Sequence, residues 1–400
     1  MESNTLARRA ARLSAIMPES EHGGIIFGSG DAFPGVLPDL TAAADVALTK
    51  YRSETLQYAP RPGLPELREW IAGYMKDDGA NVTADDVVVV NGAKHGIDLV
   101  CRILLEEGDS IVVTSPTYFT AIPLFRSFGV EFVEVGQDAE GMIVDEVADA
   151  FDAAVKQGRR LPKFIYDVPD FHNPTGLTTS RRRREQLVEV ASKYGVWIVE
   201  DSPYRKVRFE GESEPTLKAL GGARTILVGT FAKLVAPGLR IGWLSAAPEI
   251  LTRVPQLKSD GGSCPLTQRI ILEFCRAGHL SAHIDKVQKL YREHRDQMVA
   301  AVRRHIPEAS FAVPHGGYYL WLRLPDAMDG DELARRAARA NVTIIPGSKF
   351  FAGRRGGPPK NFVRLAHSYS TLEQIDEGVS ALGAAYHSMT DLQLAGRTAS

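Results

Sequence analysis

Residues 225–244 read TILVGTFAKLVAPGLRIGWL. The run TILVGTF is apolar and β-branched, which reads as a strand buried on both faces. Lys233 follows it, ahead of the turn pair Pro237-Gly238. A lysine alone is usually a solvated charge. Among apolar and small neighbours it is partly desolvated, and its amine becomes a nucleophile. Thr230 precedes Lys233, and Arg240 follows a turn that can fold it back. A hydroxyl, a lysine and an arginine converging after one strand suit a phosphate-bearing ligand with a reactive aldehyde.

Outward from this stretch the pattern repeats. DDVVVVNGA (85–93), DSIVVTSP (109–116), VEFVEV (130–135), PKFIYDVP (162–169) and VWIVEDSP (196–203) all read as buried strands. KHGIDLVCRILLEEG (94–108) and TSRRRREQLVEVASKYG (179–195) have helical spacing, the second with Thr179-Ser180 as N-cap. The alternation predicts an α/β fold: a three-layer, mostly parallel sheet with helices on both faces. Ligands of such sheets gather at the carboxyl ends of the strands. Residues 281–305 form one long helical pattern. FAVPHGGYYLWLRL (311–324) reads as a strand pair around a Gly-Gly turn, 331–348 as helix then strand, and NFVRLAHSY (361–369) as a strand. These predict a smaller α+β domain. The expected division is 1–48 as a segment joining the small domain, 49–290 as the large domain and 291–400 as the small one. Residues 6–17, LARRAARLSAIM, read as a first helix packed on the body, with a targeting peptide as the alternative; residues 390–400 read as a loose tail.

Composition excludes several classes. The 400 residues carry 47 basic and 49 acidic groups, a net charge of −2, so no global attraction to nucleic acid or an anionic membrane is expected. No apolar run reaches the roughly 20 residues of a bilayer span. The cysteines, Cys101, Cys264 and Cys275, lack any metal-ligand or disulfide-scaffold spacing, and a reducing cytoplasm is expected. The histidines show no metal-ligand spacing, so no metal site is expected.

Other strand ends carry polar groups. Asp201 ends VWIVED with Tyr204 close behind; a turn or cap would also explain the aspartate. Asn173 opens N-P-T-G, which by itself is a tight turn. Tyr118 follows a strand, where a core aromatic is the plain alternative. NGAKHG begins a helix, whose free N–H groups attract anions. In chain order, Y-A-P-R-P-G-L-P-E-L-R (58–68), N-G-A (91–93), P-T-Y (116–118), N-P-T-G (173–176), D-S-P-Y (201–204), T-F-A-K (230–233), P-G-L-R-I-G-W (237–243) and F-V-R-L (362–365) resemble the fold-type I pyridoxal-phosphate enzymes of the class I/II aminotransferase family. F-H-N-P-T-G and C-P-L-T-Q (264–268) look most like the branch containing 2-aminoadipate and kynurenine aminotransferases.

The resemblance implies an aspartate-aminotransferase-like fold and a cofactor, pyridoxal 5'-phosphate, held by Lys233 as a Schiff base. It implies that Asp201 pairs with the pyridinium nitrogen, Asn173 and Tyr204 hydrogen-bond the ring oxygen, and Tyr118 stacks on the ring. The phosphate would be held by the backbone at Ala93 and Lys94, by Thr230, by Arg240 and by Tyr58 of a neighbouring subunit. Arg364 would clamp the substrate α-carboxylate, with Asn173 and with Gly30 of the substrate-side loop also binding substrate. A cytoplasmic homodimer with shared active sites is implied, taking an amino acid and a 2-oxo acid.

The chain also departs from the family pattern. Lys94-His95 stands where Ser or Ala and glutamines are usual; Lys94 either adds charge near the phosphate or points to solvent, and His95 reads as a first-turn helix residue. Ala232 replaces a frequent serine, and the loop Gly28-Ser29-Gly30-Asp31 is glycine-rich, with Asp31 either repelling acidic side chains or lying on a plain turn. Arg181–Arg184 read as a solvated helix face, and His172 could touch the ligand. The implied activity is transamination. The alternative keeps the cofactor but ends in elimination, replacement, cyclisation or oxidation. A non-enzymatic regulator on this fold would carry a DNA-binding domain and a more basic charge.

Overall fold

In the computed structural model, described residues are 24–353 and 356–398, with positions 7, 10 and 12. The rest of the 6–17 stretch lies outside them.

Seven strands form the main sheet: β1 (Val87–Val90), β2 (Ser110–Thr114), β3 (Glu131–Val135), β4 (Phe164–Asp167), β5 (Trp197–Asp201), β6 (Thr225–Thr230) and β7 (Gly242–Ser245). Their spatial order is β1-β7-β6-β5-β4-β2-β3. All neighbours are parallel except β7, which runs against both β1 and β6. Sequence periodicity identified every parallel strand, whereas RIGWL was legible only as part of a motif.

Burial on both faces explains the strand composition. Val88 and Val90 of β1 join a core with Ile97 and Val100 of the helix Ala93–Leu104, while Val87 and Val89 join Leu67 and Ile71 of the helix Pro65–Asp77. In the same way, Phe164 and Tyr166 of β4 face one core and Ile165 faces Val147 and Leu187 in another. Period-2 alternation between two helix layers requires an apolar residue at nearly every position. This is the expected three-layer arrangement.

A second, three-stranded sheet has the order β8-β10-β9, from β8 (Tyr319–Arg323), β9 (Ile345–Pro346) and β10 (Phe362–Ala366). FAVPHGGYYLWLRL is not the expected strand pair. Only its second half forms a strand, and that strand pairs with β10, Trp321 opposite Arg364. Pro314 and the two glycines turn the first half into a connection. Leu320, Leu322, Val363 and Leu365 pack under Met298 and Val302 of the helix His279–His305 and Ile375 and Val379 of the helix Leu372–Thr398. The expected loose tail is therefore corrected: the last helix runs on to Thr398.

The N-terminal segment joins this smaller unit. Ile25-Ile26 pairs in parallel with Val342-Thr343, and the Phe27 carbonyl accepts from the Ala366 N–H at 2.8 Å. Phe27 is fully buried. This anchorage delivers residues 28–31 to the carboxyl edge of the main sheet.

The arginine run 181–184 is also corrected. Arg184 is fully buried, because its helix position faces the sheet. It donates to the carbonyls of Pro169 (3.0 Å) and Thr179 (2.8 Å) and pairs with buried Asp170 at 2.9 Å. Asp170 also meets Arg205 at 3.2 Å and Arg208 at 3.5 Å. Burial pushes the Asp170 carboxyl up, but Arg184 and Arg205 more than reverse this and hold it below the usual range. One carboxylate thus ties the helix Arg181–Tyr194 to the segments after β4 and β5. Asp170→Asn leaves these guanidiniums uncompensated and should lower the unfolding free energy by about 3–5 kcal/mol at pH 7. Urea denaturation measures this, and a loss below about 1 kcal/mol would contradict it.

Candidate active site

The parallel strands β1, β2, β4, β5 and β6 end at Val90, Thr114, Asp167, Asp201 and Thr230. Because β7 is antiparallel, it begins at that same edge: Gly242 lies opposite both Val90 and Thr230. Arg240, just before it, donates from Nη2 to the Asn91 carbonyl at 3.2 Å. The next residue, Gly92, has φ +83, and a Cβ there would lie 2.9 Å from Arg240 Nη2. Only glycine admits this approach. The helix Ala93–Leu104 starts here, so the free N–H groups of Ala93 and Lys94 lie beside the guanidinium. The Lys94 side chain is exposed. His95 Nδ1 accepts from the Asn91 N–H at 3.1 Å, a first-turn contact as expected. Thr230 is buried; its hydroxyl donates to the Ile241 carbonyl at 3.3 Å and accepts from the Ala232 N–H at 3.1 Å.

Asp201 is buried with one oxygen satisfied: the Tyr166 hydroxyl donates to Oδ2 at 2.7 Å. Its Oδ1 has no hydrogen-bond partner among the described residues. Burial pushes the carboxyl up to about 6, and the bond from Tyr166 partly opposes this. Asn173 is buried too. Its Oδ1 accepts from Arg364 Nη1 at 3.1 Å, and its Nδ2 lacks a partner among the described residues. Arg364 is only 1% exposed. Its Nη2 donates to the Gly28 carbonyl at 2.5 Å, and its guanidinium stands 4.2 Å from the Tyr319 ring and 5.3 Å from those of Phe119 and Phe350.

Lys233 reaches the same space from the end of β6. Its Nζ donates to the Gly30 carbonyl at 2.6 Å and stands 5.2 Å from the Tyr318 ring centroid. Tyr204 is buried, with its hydroxyl 3.0 Å from that of Tyr319. Burial pushes the Tyr204 phenol well above its ordinary value, and it pushes Tyr118 up to about 12. The loop 28–31 therefore lies on the site through its backbone, while Asp31 is exposed and takes a 2.6 Å bond from the Ser29 hydroxyl.

Two candidates stand apart. Tyr58 is 85% exposed, and among the described residues no hydrogen bond or ring contact joins it to this constellation. His172 is locked between the hydroxyls of Thr114 (3.0 Å) and Thr175 (3.1 Å), and burial drives its pKa down to about 3, so it is a neutral structural residue. Sequence reasoning missed Tyr166 and Tyr319. Tyr166 looked like one more core residue of a strand, and Tyr319 belonged to an apparent hairpin.

The donor set fits pyridoxal phosphate. An unpartnered buried carboxylate oxygen suits a ring N–H, and an unpartnered amide suits a ring oxygen. A glycine-lined helix start with an arginine beside it suits a phosphate dianion. The aminotransferase class I and II family matches residues 24–382. The chain belongs to that family. It is a pyridoxal-phosphate-dependent transferase that moves an amino group between an α-amino acid and a 2-oxo acid, on the aspartate-aminotransferase-like fold. It is 35% identical over 340 residues to aromatic-amino-acid aminotransferase 1 of Thermococcus litoralis, covering 84% of this chain and 81% of that one. An alpha-aminoadipate aminotransferase from Thermus thermophilus, solved with N-(5'-phosphopyridoxyl)-L-leucine, is 31% identical with a TM-score of 0.89, covering 97% and 98%. A Pyrococcus horikoshii kynurenine aminotransferase is 30% identical with a TM-score of 0.90, covering 96% and 97%.

The raised pKa of Asp201 has a thermodynamic consequence in cofactor-stripped protein. The unfolded chain ionises this group near 3.9, so its favourable contribution is complete below that pH and disappears as pH rises through about 6. Asp201→Asn removes the ionisation. Stripped variant minus stripped wild type should therefore gain about 2–3 kcal/mol of unfolding free energy between pH 4 and pH 7.5. Urea unfolding at the two pH values measures the difference, and an unchanged difference would refute the burial argument.

Proposed function

We propose that Lys233, Asp201, Asn173, Tyr204, Arg240 and Arg364 are the working residues of this transaminase. The observation that carries the reading is their convergence from four separate segments, at 173, 201–204, 233–240 and 364, with Asp201 Oδ1 and Asn173 Nδ2 buried and unpartnered among the described residues. Pyridoxal phosphate, when bound, supplies an electron sink for the bonding pair at an amino acid Cα. Asp201 holds a proton on the ring nitrogen by charge pairing. Asn173 Nδ2 and the Tyr204 hydroxyl donate to the ring oxygen. Tyr118 covers one ring face. Ala93 and Lys94 N–H groups, Thr230 and Arg240 bind the phosphate.

Arg364 receives the substrate α-carboxylate. Its seat is walled by Tyr319, Phe119 and Phe350, which exclude water and strengthen the pairing. The Gly28 carbonyl at 2.5 Å from Nη2 gives up that bond when the carboxylate arrives. Lys233 Nζ, released from the Gly30 carbonyl, would act as the base that takes the proton from the substrate Cα. Gly30 lines the substrate side. In the division 1–48, 49–290 and 291–400, the described residues of the N-terminal segment work with the C-terminal unit against the body.

A homodimer completes the site in this reading. Tyr58 at 85% and Leu56 at 62% exposure stand out from a surface that should hide such groups, and Tyr58 reaches the partner subunit's phosphate. A cytoplasmic location accords with three free, unpaired cysteines.

Lys233→Ala should remove turnover while the protein still binds pyridoxal phosphate, and Arg364→Ala should raise KM for α-amino acids with a loss of about 2–5 kcal/mol in kcat/KM. Steady-state rates over an amino-acid panel measure both, and activity retained in either variant would withdraw that assignment. Sedimentation should give a dimer at micromolar concentration, with Tyr58→Ala still dimeric but weaker in cofactor affinity by about tenfold. An active monomer would overturn the shared site. Conversion of the bound cofactor to its amine form by a stoichiometric amino acid, and its restoration by an added 2-oxo acid, distinguishes transamination from elimination or replacement.

A further inference from the structure

Tyr319 opens β8, whose side chains alternate. Leu320 and Leu322 fill the small core, while Tyr319 faces the site. It meets three working groups at once. Its hydroxyl lies 3.0 Å from the Tyr204 hydroxyl, its ring carries the Arg364 guanidinium at 4.2 Å, and its hydroxyl packs against the Gly30 backbone so closely that a Cβ on Gly30 would lie 2.1 Å away. Tyr118, Tyr204, Tyr318 and Arg364 are the titratable groups that feel it electrostatically.

We propose that Tyr319 is a positioning residue whose hydroxyl donates to the Tyr204 hydroxyl and so fixes and polarises Tyr204 as the donor to the cofactor ring oxygen. This rests on the site reading above, and proton counting carries it. A tyrosine has one O–H proton. Once Tyr204 spends its proton on the ring oxygen, the contact between the two phenols survives only if Tyr319 is its donor. The alternative orientation, Tyr204 donating to Tyr319, would leave the ring oxygen without that bond. The Tyr319 ring cannot swing away, since Arg364 lies on its face and Gly30 sits at its tip. A hydroxyl that receives a hydrogen bond becomes a stronger donor, so Tyr319 strengthens the bond it does not itself make. The role also explains Gly30. Any side chain there would push the Tyr319 hydroxyl off Tyr204.

The test uses holoprotein and reads the pH midpoint of the visible absorbance band of the cofactor bound at Lys233. Donation to the ring oxygen favours its anionic form and lowers that midpoint. Tyr319→Phe keeps the ring and removes only the hydroxyl, and the midpoint should rise by about half to one pH unit, the worth of one hydrogen bond. Tyr204→Phe should raise it at least as far. The double variant should match Tyr204→Phe alone, because Tyr319 acts through Tyr204. A Tyr319→Phe midpoint within about 0.1 unit of wild type, or shifts that add in the double variant, would overturn the proposal while leaving the site reading intact. Wild-type protein that forms no visible band with pyridoxal phosphate would overturn the site reading and this proposal with it.

Discussion

A guanidinium taken out of water needs acceptors, and Arg364 finds them in parts of the chain remote in sequence. Nη2 is bound by the Gly28 carbonyl from the N-terminal segment and Nη1 by Asn173 from the main sheet, while Tyr319 of the small sheet supports its face. Leaving any of these out exposes a buried cation to a low-dielectric surrounding, which is costly. The contacts therefore hold the N-terminal segment, the β4–β5 region and the small sheet in one mutual arrangement. They also keep a full positive charge where a carboxylate can meet it, with aromatic walls that make such a meeting strong.

A second buried charge does similar work one layer back. Asp170 joins Arg184, Arg205 and Arg208; it lies three residues before Asn173, and its partner Arg205 directly follows Tyr204, two of the proposed working residues. The segments that carry those two side chains are thereby fixed to each other and to the helix Arg181–Tyr194. Rigidity of this kind matters for chemistry, since misplacement of a donor by an ångström is expensive. The site can then leave Asp201 Oδ1 and Asn173 Nδ2 unpartnered among the described residues, because the surrounding bonds hold their positions without them.

Much of this is legible in the sequence. Lys233, Asp201, Asn173 and Arg240 each stood after a strand-like run, and the structure brings all four to one edge. What sequence reading lost has a physical cause. Arg184 has the composition of a solvated face, yet its helix position points at the sheet and Asp170 waits there. Tyr319 looked like half of a hairpin, yet β8 pairs with β10, more than thirty residues on. The segment from Thr390 lacks a clean apolar period, yet it continues a helix already anchored by Ile375 and Val379. For the side chains a partner outside their own element decided the outcome, and for the last segment continuity with a helix already packed on Met298 and Val302 did.

Local chemistry by itself determined the layered α/β architecture, since strands covered on both faces must be apolar at nearly every position. It determined as well which polar side chains end those strands. Tertiary structure alone decided that β7 inserts antiparallel between β1 and β6, which brings Arg240 to Gly92. It alone decided that Tyr319 touches Tyr204, and that Tyr58 faces outward. The physical reason is that periodicity reports which face of an element is buried, whereas the identity of the neighbour depends on strand order and on charges that must find partners across the chain.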